Sequence, residues 1–143
     1  MASSSTDFPA RGNVVRADAG GVVFNPVGTS YEVKLAVPGG YGGPTGGRVD
    51  GVVRATARKV YTIASGGNFV APIFGPPRIL QGRVRYLDQT TMVLSCGMPV
   101  IVTLPASDSA FDLANGGLAV GSLVNVTLLP GASFELAAAV AVV

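Results

Sequence analysis

The chain has 143 residues, of which 48% are hydrophobic, only 13% are charged and none is histidine. That is one domain's worth of chain with about half the usual charged fraction of roughly 25%, too little to wet an ordinary surface, so part of the surface is expected to be covered by other protein. With no His, a single Cys and eight carboxylates scattered from Asp7 to Glu135, the composition excludes a zinc or copper site, an internal disulfide and histidine acid–base catalysis.

Residues 1–19 read as an extended N-terminal arm. Its first part, Met1 to Asn13, is polar and Ser-rich and lacks the apolar run of a secretory signal. A short strand is expected over 22–27, ended by Asn25-Pro26. Over 31–37 the pattern alternates, with Tyr31, Val33, Leu35 and Val37 on one face and Glu32, Lys34 and Ala36 on the other. A Gly-rich loop from Pro38 to Gly47 leads into a long strand over 48–63. A period of two puts Val49, Gly51, Val53, Ala55, Ala57, Tyr61 and Ile63 on its apolar face. Arg48, Asp50, Arg54, Thr56, Arg58 and Thr62 fall on the other. Small residues at Gly51, Ala55 and Ala57 suit a strand that bends around a narrow core.

Residues 64–77 read as a long loop carrying Gly66-Gly67 and Pro76-Pro77. Its Phe69, Val70, Ile73 and Phe74 are too apolar for a free loop and are expected to cover one end of the core or to meet a partner. Strands follow near 78–87, 91–96 and 100–104, joined by turns at Asp88-Gln89-Thr90 and Gly97-Met98-Pro99, which makes a three-strand meander. Cys96 continues the apolar pattern of Met92 and Leu94 and reads as a small buried hydrophobe. Residues 107–114 are the one helix candidate, with Ser107 or Asp108 to cap its start and Asn115-Gly116 to stop it. A strand near 122–129, a turn at Pro130-Gly131 and a last strand from Ser133 complete the pattern. The run from Phe134 to Val143 is apolar except for Glu135, so the tail 137–143 is expected to pair as an extra strand or to lie on a neighbour's sheet edge.

The segment GRVRYLDQTTMVLSCGMPVIVTLP, followed by GSLVNVTLLPGASFEL after a short helix, resembles an OB-type or related Greek-key barrel over residues 48–136. The expected fold is therefore all-β: a small closed or partly open barrel with one short helix near 107–114 and an extended N-terminal arm. In domain terms this is an arm over 1–19, one barrel domain over 20–136 and an apolar tail over 137–143.

No stretch reaches the roughly 18 to 20 apolar residues that a spanning helix needs, so no membrane span is expected. The Gly-rich segments at 39–47, 65–68 and 115–117 lack the Gly-Lys-Ser/Thr of a phosphate loop. Lys34 and Lys59 stand in no catalytic motif, and Asp108 with Asp112 reads as charge at a helix start. No catalytic residue, metal or cofactor is expected.

The charges that exist are segregated. Residues 48–85 carry seven basic groups (Arg48, Arg54, Arg58, Lys59, Arg78, Arg83, Arg85) against one acid, Asp50, whereas residues 86–143 carry four acids and no base. The basic segment has a ready partner in the acidic one, in the same chain or a neighbouring copy. The leading expectation is thus a non-enzymatic, self-associating structural protein, a building block of a shell, sheath, filament or virion surface. It would be cytoplasmic or part of an assembled particle, with other copies of itself as partners. Candidate contacts are Phe69, Val70, Ile73, Phe74, Leu136, Val140, Val142 and Val143. The alternative is an OB-like module for single-stranded nucleic acid. If the strands over 48–63 and 78–87 pair, Arg54, Arg58, Arg83 and Arg85 share one outward face for phosphates, with Tyr61 read as core. A small adaptor domain that binds another protein is the second alternative.

Overall fold

The computed structural model describes residues 9–137, which form an all-β fold. The strands are β1 (Ala10–Asp18), β2 (Gly21–Pro26), β3 (Glu32–Ala36), β4 (Arg48–Thr62), β5 (Phe69–Ala71), β6 (Phe74–Gly75), β7 (Ile79–Leu87), β8 (Thr91–Ser95), β9 (Pro99–Thr103), β10 (Phe111–Asp112), β11 (Leu123–Leu128) and β12 (Ser133–Leu136). All belong to one mixed sheet.

The sheet is organised by β4. Valines and small residues alternate with charged ones along most of its fifteen residues, a pattern that fits a pleated strand with one face in the core. Four of its residues have two partners each: Gly51 pairs with Ala10 and Leu136, Arg54 with Ile101 and Ser133, Val60 with Phe111 and Val126, and Tyr61 with Asp112 and Asn125. A strand has only two edges, so β11 and β12 run end to end along one of them, and β1, β9 and β10 follow one another along the other. Both edges are thereby covered from within the chain.

The pairings close into two circuits that share β4: β4–β1–β2–β3–β12 and β4–β9–β8–β7–β11. In the first, β3 meets β12 at one residue pair, Ala36 with Ser133, supported by the Ala36 N–H donating to the Ala132 carbonyl at 2.9 Å. This is one mixed sheet and not the clean OB-like barrel expected from the hairpin pattern. The reason lies in strand length. At about 3.3 Å per residue β4 spans roughly 50 Å, so it runs through one circuit and on into the next.

A single apolar core threads both circuits. Val14, Phe24, Leu35 and Phe134 come from the first, Leu80, Val84, Met92, Leu94, Val100, Val124 and Val126 from the second, and Val53, Ala55, Ala57 and Val60 from the shared strand. A smaller cluster of Val52, Val93 and Ile101, with Tyr86 against it, lies apart from that core.

Bulges set which face each side chain takes. On β4, Thr127 opposes Lys59 and Leu128 opposes Ala57, so Arg58 is the extra residue. An inserted residue shifts the alternation by one. Val49, Val53, Ala55 and Ala57 are buried before it and Val60 and Thr62 after it. This corrects the expected face: Tyr61 is half-exposed and not core, and Thr62 is buried in its place. On β7, Val84 opposes Leu94 and Tyr86 opposes Val93, so Arg85 is extra, and Tyr86 leaves the face of Val84 to join the smaller cluster.

The meander over β7, β8 and β9 and its two turns lie where the sequence put them, as do β2, β3, β11 and β12 to within a residue or two. Three expectations are corrected. Residues 10–18, read as part of an arm, form β1, held by β2 and by β4. The stretch 64–77, read as a loop, contains β5 paired to β7 and β6 paired to β3. The helix over 107–114 is absent. Ser107 does cap, accepting from the Ser109 N–H at 3.3 Å, but only a 3-10 turn over Asp108–Ala110 follows. Phe111 and Asp112 then pair in parallel with Val60 and Tyr61. A segment this short is a marginal helix on its own, and pairing satisfies an edge of β4 that would otherwise lie bare.

Candidate functional site

Three surface features carry chemistry. The first is an apolar corner. Val70, on β5, opposes Leu80 and is 2% exposed, so it is a core residue of its own chain. Phe69 is half-buried beside it. The next pair along is Ala71 with Ile79, and Ile73 and Phe74 follow just beyond. Ile73, Phe74 and Ile79 are exposed. Alternation along β5 explains the split: Val70 points inward, and after the strand ends the chain presents its apolar residues outward. Of the other candidate contacts, Leu136 is exposed at the end of β12. The strand's pairing continues as the Ala137 N–H donates to Asp50 at 2.9 Å. Val140, Val142 and Val143 lie outside the described residues.

The second feature is the set of arginines. β4 and β7 do not pair, because β11 runs between them: Tyr61, Asn125 and Gln81 form one cross-strand row. The Ile63 N–H donates to Leu123, which opposes Arg83. Arg83 is therefore level with residue 63, about 16 Å along the strand from Arg58 at 3.3 Å per residue and two strands over. The four arginines thus fall into two pairs at different levels. Arg54 ion-pairs with Glu135 at 3.1 Å, one case of the basic middle meeting the acidic end within the chain. Both partners are solvent-exposed, so the bond adds little to stability. Arg83 donates to the Gly121 carbonyl at 3.0 Å, and Arg85 lies beside it on a shallow cleft with Gly66, Gly67 and Asn68.

The third feature was missed in the sequence. Phe69, Gln81, Asn125, Tyr61 and Asp112 stand in one row across β5, β7, β11, β4 and β10. Around it lies an open cleft of about 490 Å3 lined by Tyr61, Thr62, Gln81, Asp112, Asn115 and Asn125, among others. The amides are held in place. Gln81 Nε2 donates to the Gly67 carbonyl at 2.8 Å and its Oε1 accepts from Asn125 Nδ2 at 3.1 Å. Asn115 Nδ2 donates to the Thr62 carbonyl at 3.1 Å, and the Asn115 N–H donates to Thr62 Oγ1 at 3.3 Å. Lys59 Nζ sits 4.9 Å from the centre of the Tyr61 ring. A signal did exist: Gln81 and Asn125 are the one amide side chain on each of β7 and β11. Their meeting was hidden because neither the order of β7, β11 and β4 nor the Arg58 bulge shows in the sequence.

Asp88 and Cys96, away from these features, are titratable groups with perturbed pKa values. Asp88 accepts from the Thr90 N–H at 2.9 Å, from the Tyr86 hydroxyl at 2.8 Å and from the Thr91 N–H at 2.9 Å. These bonds, the one from Thr90 foremost, hold its carboxyl below the usual range. Cys96 is buried at the β8–β9 turn, and burial pushes its thiol up to about 12. Among the described residues no three His, Cys, Asp or Glu side chains gather into a group that could hold a metal ion, and no helix is long and apolar enough to cross a membrane.

What fold and surface define together is a class: an all-β domain built on one mixed sheet. Compared with known protein families, with characterised proteins and with solved structures, the chain matches none.

Proposed function

We propose that this is a non-enzymatic, self-associating structural protein, a building block of a repetitive assembly such as a shell, sheath, filament or virion surface. The observation that carries the reading is Phe74, 63% exposed on the two-residue strand β6, with Ile73 and Ile79 exposed close by, in a chain only 13% charged. Leaving apolar surface in water costs about 25 cal/mol per Å2, and a cluster of large apolar side chains on a surface short of charge marks a contact. The edges of β4 are already paired within the chain, which favours association through side-chain faces over strand addition along that element. Other copies of the chain are the proposed partners. An adaptor role would use the same corner for a different protein. The nucleic-acid alternative draws less support, because its four arginines fall into two pairs at different levels with β11 between their strands.

The test is sedimentation of the full chain beside the double variant Ile73→Ser, Phe74→Ser. The wild type is expected to sediment as an assembly, and the variant as a monomer with unchanged β-type circular dichroism. A monomeric wild type at working concentration overturns the reading. Deleting 137–143 asks separately whether the tail takes part, and the expected result is again a folded monomer.

A further inference from the structure

We propose that the cleft between β4, β7, β10 and β11 binds a neutral polyhydroxylated ligand, an oligosaccharide. The inference is independent of self-association, since it uses none of the residues at the apolar corner.

The chemistry of the lining selects the class. The polar side chains on the cleft are the amides of Gln81, Asn115 and Asn125, the hydroxyls of Tyr61, Thr62 and Thr127, and the one carboxylate of Asp112. None of the lining residues is Lys or Arg. An amide offers both donors and an acceptor, as a sugar hydroxyl does, so amide and hydroxyl satisfy one another in pairs. Among the lining residues a phosphate or sulfate would meet one negative charge and no cation; the nearby Lys59 ammonium is turned onto the Tyr61 ring. A metal ion would find one carboxylate where hard cations take six or more oxygens.

Geometry supports the same class. Asn125 uses one amide N–H on Gln81, which leaves its carbonyl oxygen and second N–H for a ligand. Asn115, fixed through Nδ2 to Thr62, keeps its Oδ1. Asp112 accepts from the Ala114 N–H through Oδ1 at 3.2 Å and keeps Oδ2. These groups are oriented before any ligand arrives, which lowers the ordering entropy of binding. Tyr61, between Asn125 and Asp112 in the row, supplies the apolar surface. Lys59 covers one side of its ring, and the other can take the C–H face of a pyranose, as aromatic rings take apolar edges generally. The volume of about 490 Å3 is within the roughly 300–1,000 Å3 of small-ligand sites.

Saturation-transfer difference NMR tests the proposal, because it reads the ligand and works on monomer and assembly alike. The probes are neutral oligosaccharides of glucose, mannose and N-acetylglucosamine, with adenosine monophosphate and a sulfated disaccharide as charged comparisons. Transfer to the C–H protons of at least one neutral oligosaccharide is expected, falling about tenfold in affinity in each of Gln81→Ala and Asn125→Ala and persisting in Arg54→Ala. Tyr61→Ala, a substitution at a half-exposed position, serves as a second probe if either amide variant fails to fold, and is expected to abolish the transfer. No transfer to any neutral oligosaccharide, or transfer untouched by all three cleft variants, overturns the proposal. Stronger transfer to the nucleotide or the sulfated sugar overturns it in favour of an anion site.

Discussion

Gly51 of β4 lies beneath the ring of Phe134 on β12, and a Cβ at position 51 would meet that ring. Phe134 in turn stacks tilted against Phe24 with ring centres 4.9 Å apart. The three residues come from β4, β12 and β2, so this contact ties the first circuit together where the β3–β12 pairing is thinnest. Gly51→Ala is expected to overpack the site and destabilise the fold by about 1–3 kcal/mol. Chemical denaturation checks this. Adding Phe134→Leu should recover part of the loss made by Gly51→Ala, and the two substitutions should be non-additive. Strict additivity would show that the clash relaxes elsewhere.

The turn between β7 and β8 predicts an acid-sensitive contribution. Asp88 is held below the usual carboxylate range in the folded state, so the unfolded chain binds the proton more readily. The stabilisation is present above the unfolded pKa and is lost as pH falls through the lower folded value. Asp88→Asn keeps an acceptor for the turn but cannot titrate. Urea denaturation should therefore show the wild type ahead of Asp88→Asn near neutrality, with the gap closing as the solution is acidified. A gap of constant size would mean that the charge is not its source.

Cys96 predicts the opposite dependence. Its thiol is buried and raised to about 12, so the unfolded chain ionises first. Its contribution is complete below the ordinary thiol range and is lost as pH rises from there towards the folded value. The native thiol is expected to resist a thiol-specific disulfide reagent at neutral pH and to react only through unfolding, because the thiolate is the nucleophile. Labelling should then speed up with urea in step with the unfolded fraction. Rapid labelling in native buffer would contradict the burial.

Much of the fold could be read from the chain. The alternation at Tyr31, Val33, Leu35 and Val37 placed β3, the turn residues Asp88-Gln89-Thr90 placed the β7–β8 hairpin, and Cys96 was recognised as core. Each of these is a local property, because a strand's period and a turn's backbone preference act over a few residues. The candidate surfaces were legible in part. Ile73 and Phe74 stood out because apolar residues in a stretch of Gly and Pro are conspicuous. Val70, three residues away, shares their apolar character, but its pairing with Leu80 puts it inside.

Composition and periodicity by themselves determined that the protein is all-β, lacks a histidine- or disulfide-based site and is short of surface charge. Tertiary structure alone decided what lies beside what. In place of the helix over 107–114 stand a 3-10 turn and the two residues of β10, which pair with an edge of β4. β11 came between β4 and β7, which split the arginines and brought Gln81 and Asn125 together. The extra residue at Arg58 turned Tyr61 outward to join them. Which strand absorbs a bulge, and which strands become neighbours, depends on register between segments tens of residues apart. That register is fixed by burying one continuous core, an energy that belongs to the whole chain and leaves no mark on any short stretch of it.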